Sequence, residues 1–289
     1  MTDEPEAIWF SGVARNRVAG SVWPAAGDSS GVALLLHGGG QTRHAWTGTA
    51  RCLSNAGITC VAIDHRGHGE SDWVSSANYS FFDFADDVAA VAADMTERFG
   101  TRPLSIGASL GGLSTLLAED KAGHGLFSGI VLVDVVPWLD PRGVAQITGF
   151  MRQHVELGFA SLEDAAEAIH GYLPQRARPQ SLDGLRKNLR LGKDGRYRWH
   201  WDPRFLDGPR PVSTDAALVE EALVRAASSV TCPLMLVRGQ RSELVSEELA
   251  QRFRTLVPHA HYRDIAGAGH MVAGDRNDRF TDAIVEFLV

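Results

Sequence analysis

Runs of branched aliphatic residues, with almost no polar interruption, recur along this chain. Val32–Leu36, Leu104–Ile106, Ile130–Val133 and Leu234–Val237 are the clearest. Such runs mark strands buried on both faces rather than half-exposed ones. With weaker neighbours they predict strands near 7–11, 17–23, 32–37, 59–64, 103–108, 129–135, 233–238 and 260–265. Between them lie stretches of helical period near 44–56, 80–99, 110–120, 246–257 and 277–288. Strands alternating with helices predict an α/β fold, a mostly parallel sheet covered on both faces. The first two strands lack an intervening helix and are expected to form an antiparallel start.

The alternation breaks between about Pro137 and Val212, where helical patterning runs on without a strand. Ser161–Ile169 reads as a helix with a serine N-cap, and Ser181–Leu189 as another. An aromatic group follows: Tyr197, Trp199, His200, Trp201 and Phe205. Each of these rings is expected to glue packing surfaces together; as a group they suggest an apolar pocket.

Candidate chemistry sits at strand ends. Gly107-Ala108-Ser109-Leu110-Gly111 lies between an apolar strand and a helix-like run. In that context G-x-S-x-G forms a sharp turn that lifts a serine above the sheet, with glycines where side chains would collide. The helix N-terminus behind the serine favours developing negative charge. Upstream, Leu34–Leu36 runs into His37-Gly38-Gly39-Gly40, where backbone N–H groups can approach a substrate oxygen unobstructed. Downstream, His270 follows a short strand and Ala266-Gly267-Ala268-Gly269. Serine, then acid, then histidine is the chain order of a nucleophile–acid–base set on such a sheet.

Together with Asp64-His65-Arg66-Gly67-His68-Gly69-Glu70-Ser71 after the fourth strand, these motifs resemble the α/β-hydrolase family over nearly the whole length. The stretch from His37 to Trp46 is similar to the oxyanion loop of its epoxide-hydrolase-like branch. Aspartate is the nucleophile in epoxide hydrolases and haloalkane dehalogenases, so Ser109 argues against both and for acyl transfer. The resemblance implies an eight-stranded core formed by 1–136 and 213–289, with a helical cap, 137–212, inserted after the sixth strand. It implies Ser109 as nucleophile, His270 as base, and the N–H groups of Gly39 and Leu110 as the oxyanion hole. Gly40, Trp138, Trp199, Trp201 and Met271 are the candidate pocket residues. No metal and no organic cofactor are called for.

The acid departs from the family's pattern. Its usual place is the loop after the seventh strand, where this chain has Ser242-Glu243 rather than aspartate. Glu243 is the preferred candidate, with Asp134 at the end of the sixth strand as the alternative. His37, His44, Asp64, His65 and His68 invite a metal reading, but no pair has helical H-x-x-x-H spacing. His37 is expected to shape the oxyanion loop, and Asp64 and Arg66 to brace neighbouring loops.

Composition narrows the setting. A net charge of −7 gives no reason to expect nucleic acid or an anionic membrane as partner. Three scattered cysteines do not make a disulfide framework. The acidic start, Met1–Glu6, lacks a signal peptide's basic and apolar regions, and no apolar run approaches the ~18 residues of a membrane span. A cytoplasmic monomer or homodimer acting on a small ester-type substrate is the expectation. A lactone, thioester or carbon–carbon bond hydrolase would use the same residues, as would a perhydrolase or haloperoxidase-like activity. A non-catalytic ligand receptor is the alternative of another class.

Overall fold

The computed structural model describes residues 4–172, 174, 181–270 and 277–288. Eight strands form one sheet: β1 (Glu6–Ser11), β2 (Arg17–Trp23), β3 (Gly31–Leu36), β4 (Ile58–Ile63), β5 (Leu104–Ala108), β6 (Gly129–Val133), β9 (Leu234–Gly239) and β10 (His261–Ile265). Their order is β1-β2-β4-β3-β5-β6-β9-β10. β1 pairs antiparallel with β2, and β2 antiparallel with β4; every later pair is parallel. The sheet is the α/β architecture, with the antiparallel start, that the hydrophobic pattern predicts.

Burial on both faces explains the unbroken apolar strands. Along β3, Leu34 and Leu36 enter one core cluster while Ala33 and Leu35 enter the other. The first face is covered by α2 (Phe81–Phe99), α3 (Leu110–Lys121), α8 (Ala216–Ser229) and α9 (Glu247–Leu256), the second by α1 (Thr47–Asn55) and α10 (Asn277–Leu288). Helix α2 begins at a capping box, Ser80 with Asp83, and ends at Gly100 with φ of 72°, where glycine stops the helix without steric cost.

Between β6 and β9 the chain forms α4 (Pro141–Gln153), α5 (Leu162–Tyr172), α6 (Asp183–Arg186), β7 (Leu189–Leu191), β8 (Tyr197–Trp199) and α7 (Arg204–Asp207), and then reaches α8. Two sequence expectations fail here. The stretch contains an antiparallel pair, β7 with β8, and the helix expected over Ser181–Leu189 is the single turn α6. Three residues per strand are too few to show a period of two, and Asn188 leads into β7 rather than continuing a helix. Ser161 does cap α5, accepting from the Asp164 N–H at 3.0 Å. Helix α8 lies outside the predicted helices, although Val219, Ala222, Leu223 and Ala226 carry the i, i+3, i+4, i+7 spacing and are all buried. No helix among the described residues is long and apolar enough to cross a membrane.

Candidate active site

Strand β5 delivers the chain into a turn at Ser109, whose φ of 47° and ψ of −114° lie far from helix or strand values. A Cβ on Gly107 would meet the Gly112 nitrogen at 2.5 Å, and one on Gly111 the Leu36 carbonyl oxygen at 2.4 Å. Only glycine fits either position. Helix α3 starts at Leu110, directly after the serine. The first N–H groups of a helix lack intrahelical partners, so Leu110 offers its N–H beside the hydroxyl.

The loop after β3 faces this turn, because a Cβ on Gly38 would stand 3.4 Å from the Ser109 Cβ. Its shape is held from below. Gly38 N–H donates to Gln41 Oε1 at 2.9 Å, and Gly40 N–H to His68 Nε2 at 3.1 Å. His37 Nε2 accepts from the His65 N–H at 3.0 Å. Both rings therefore carry their proton on Nδ1, where His37 meets Gly38 O at 2.8 Å and His68 meets Arg66 O at 3.0 Å. Burial pushes the His37 imidazole down to about 4 and the His68 imidazole to about 3; His65 is lowered well below the ordinary histidine range by the same cause. These histidines are neutral struts of the glycine loop.

The neighbouring motif residues brace loops. Asp64 accepts from the Arg43 N–H at 2.7 Å and the Glu70 N–H at 2.9 Å, and pairs with the Arg43 guanidinium. Arg66 donates from Nε to Asp87 Oδ2 at 2.7 Å.

Of the two carboxylates the sequence offers, Asp134 is the one hydrogen-bonded to His270. His270 Nδ1 lies 2.7 Å from Asp134 Oδ2, with the two residues 136 positions apart. Glu243, the preferred candidate from sequence, lies beside α4 and α5. Its backbone carbonyl oxygen would stand 2.3 Å from a Cβ on Gly143 of α4, and its charge acts on Tyr172 of α5. The physical reason lies in the backbone just past β6. Asp134 adopts φ of 50°, and its N–H donates to Val237 O at 2.7 Å. That turns the carboxylate across the end of β9, where Oδ1 accepts from the Gly239 N–H at 2.9 Å. Asp134 is fully buried.

The expected pocket residues part company. Trp201 is buried with Leu110, Met151, Phe205 and Leu206 in one cluster above the glycine loop. A Cβ on Gly40 would meet Met151 Cε at 2.8 Å and Trp201 Nε1 at 3.8 Å, and one on Gly39 would meet Phe205 Cζ at 3.2 Å. Trp199 stands a layer further out, edge-on to Phe159 at 5.1 Å and to Phe150 at 5.9 Å. Trp138 lies beneath the Arg252 guanidinium of α9, 3.7 Å from the ring centre. Met271 lies outside the described residues. Sequence reasoning missed Met151 and Ile147, although their i, i+4 spacing on α4 carries the signal, and did not single out Ser242.

A strained serine between strand and helix, and a carboxylate-held histidine at the same end of a doubly covered parallel sheet, define the architecture as the α/β-hydrolase fold. The chain belongs to the alpha/beta hydrolase family, whose model matches residues 33–283. It is 28% identical over 238 residues to 2-(acetamidomethylene)succinate hydrolase of Mesorhizobium japonicum, covering 80% of this chain and 78% of the relative. An esterase of Mycobacterium tuberculosis is 27% identical over 260 residues, covering 86% and 80% of the two chains. Among solved structures, an alpha/beta hydrolase from Novosphingobium aromaticivorans superposes with a TM-score of 0.82 at 23% identity, over 99% of this chain and 98% of its own.

Proposed function

We propose that this protein is a serine hydrolase that cleaves a carboxylic ester of a small to medium, fairly apolar substrate through an acyl-serine intermediate. The observation that carries the reading is the 2.7 Å contact of His270 Nδ1 with Asp134, at the sheet end where Ser109 sits in its strained turn. With Nδ1 engaged, Nε2 is the ring nitrogen left to serve the serine. Hydrolases and esterases among the relatives support the same class.

In this mechanism Ser109 Oγ attacks the ester carbonyl carbon while His270 Nε2 takes its proton. The buried carboxylate of Asp134 holds the imidazole in the required tautomer and stabilises the imidazolium. Leu110 N–H and Gly39 N–H receive the oxyanion; one such donor is worth roughly 3–4 kcal/mol in enzymes of this type. Collapse breaks the bond to the alcohol oxygen, which leaves with the proton from His270. Water then adds to the acyl carbon, its proton going to His270, and Ser109 is released with that proton while the acid product departs. No step calls on a metal or cofactor.

The segment 137–212 acts in this reading as a cap that excludes water and shapes the acyl pocket. Met151 and Phe205 over Gly40 and Gly39 support a short acyl group. Cys52, Cys60 and Cys232 are unpaired, which supports a reducing, cytoplasmic setting. The test is mass spectrometry after fluorophosphonate treatment, beside turnover of p-nitrophenyl esters from acetate to octanoate. A single adduct on Ser109, with turnover lost in Ser109→Ala, is the expected result; an unlabelled serine with no ester turned over overturns the reading.

A further inference from the structure

Asp134 has a third partner that the proposed mechanism does not use. Ser242 Oγ lies 2.5 Å from Asp134 Oδ2, the same oxygen that meets His270. The direction of that hydrogen bond is decided by the rest of the loop. Ser242 Oγ already accepts from the Leu244 N–H at 3.1 Å and the Val245 N–H at 3.0 Å. A hydroxyl has two acceptor lone pairs and one proton. With both lone pairs occupied, the proton goes to the carboxylate.

We infer that Ser242 is a positioning residue for the acid: its hydroxyl holds Oδ2 of Asp134 against His270 while Gly239 N–H holds Oδ1. The inference rests on the reading of Asp134 as the acid. Three donors from two separate stretches of chain then surround one fully buried carboxylate: Gly239 N–H and Ser242 O–H from the end of β9 and its loop, and His270 Nδ1–H from the loop after β10. Two of them converge on one oxygen, so that oxygen cannot swing away from the imidazole without breaking both. The loop after β9 thus supplies the hydroxyl that fixes an acid carried by β6.

The effect of this hydroxyl on turnover should pass through Asp134, which a double-mutant cycle can separate from its support of the Leu244 and Val245 N–H groups. The variants are Ser242→Ala, Ser242→Thr, Asp134→Asn and Asp134→Asn with Ser242→Ala, assayed for kcat and KM on p-nitrophenyl butyrate. A charge-assisted hydrogen bond of this kind predicts a kcat about tenfold lower in Ser242→Ala, with KM nearly unchanged. Ser242→Thr keeps the hydroxyl and should recover most of the loss. In the Asp134→Asn background, adding Ser242→Ala should cost little more. A Ser242→Ala enzyme with wild-type kcat overturns the inference, as does a full further loss in the double variant, which marks a purely structural role. Full turnover in Asp134→Asn overturns the assignment of the acid itself, a result distinct from either. Thermal unfolding of each variant identifies any whose low kcat is misfolding; if Ser242→Ala is one of these, Ser242→Thr and Ser242→Cys carry the comparison, and a Cys enzyme with wild-type kcat counts against the inference.

Discussion

His270 binds Asp134 across the ends of two strands that are not sheet neighbours, at 2.7 Å from Nδ1 to Oδ2, while the backbone carbonyl of Glu243, four residues past the end of β9, stands against α4. The relationship separates two carboxylates that the chain order alone leaves equivalent. Asp134→Asn should lower kcat by about 10⁴, the loss seen when a triad carboxylate becomes an amide and the wrong tautomer is held. Glu243→Gln should change kcat less than about twofold, since the carboxylate hydrogen-bonded to His270 is that of Asp134. Steady-state kinetics of both variants decide the matter, and a larger loss in Glu243→Gln would reverse the assignment.

Ser109 sits in a backbone conformation that a side chain disfavours. Ser109→Gly should abolish ester turnover and yet raise the unfolding free energy by about 1 kcal/mol, because relief of strain of ~1–3 kcal/mol outweighs glycine's entropy cost. Urea denaturation of the variant beside wild type measures the sign.

Acid should destabilise the protein earlier than its carboxylates alone would dictate. His37 and His68 are held at about 4 and about 3 in the folded state, against 6.5 ordinarily. Below pH 6.5 the unfolded chain takes up protons that the native state refuses, so stability falls with falling pH until the folded values are reached. From pH 7 to pH 5 each of the two costs about 2 kcal/mol, together a large share of a usual total of ~5–15 kcal/mol. The urea midpoint should drop accordingly, and His68→Gln should flatten the dependence. A midpoint unchanged between pH 7 and pH 5 rules the idea out.

Met151 closes the space over Gly40. Met151→Ala should shift preference towards longer acyl chains, raising the octanoate-to-butyrate ratio of kcat/KM about tenfold. It should also cost roughly 2–5 kcal/mol of stability, as a buried methionine truncation does. An unchanged ratio in a folded variant would place the acyl group elsewhere.

Much of this was written in local sequence. Val32–Leu36 reads as a strand buried on both sides and is one; Gly107 and Gly111 read as obligatory glycines, and the contacts a Cβ would make there bear that out. The β7–β8 pair was not legible, since three-residue strands show no period, and their partners lie across a turn rather than along a pattern. Helix α8 was legible in Val219, Ala222, Leu223 and Ala226 and required only that its spacing be weighed.

The chain by itself determined the parallel sheet, its antiparallel start and the turn that raises Ser109, because strand burial, helix period and glycine sterics act over a few residues. Only the tertiary structure decided which carboxylate meets His270 and which side chains roof the glycine loop. Asp134 and His270 are 136 positions apart, and their meeting depends on sheet order and on one left-handed backbone angle. Spacing along the chain carries no trace of either.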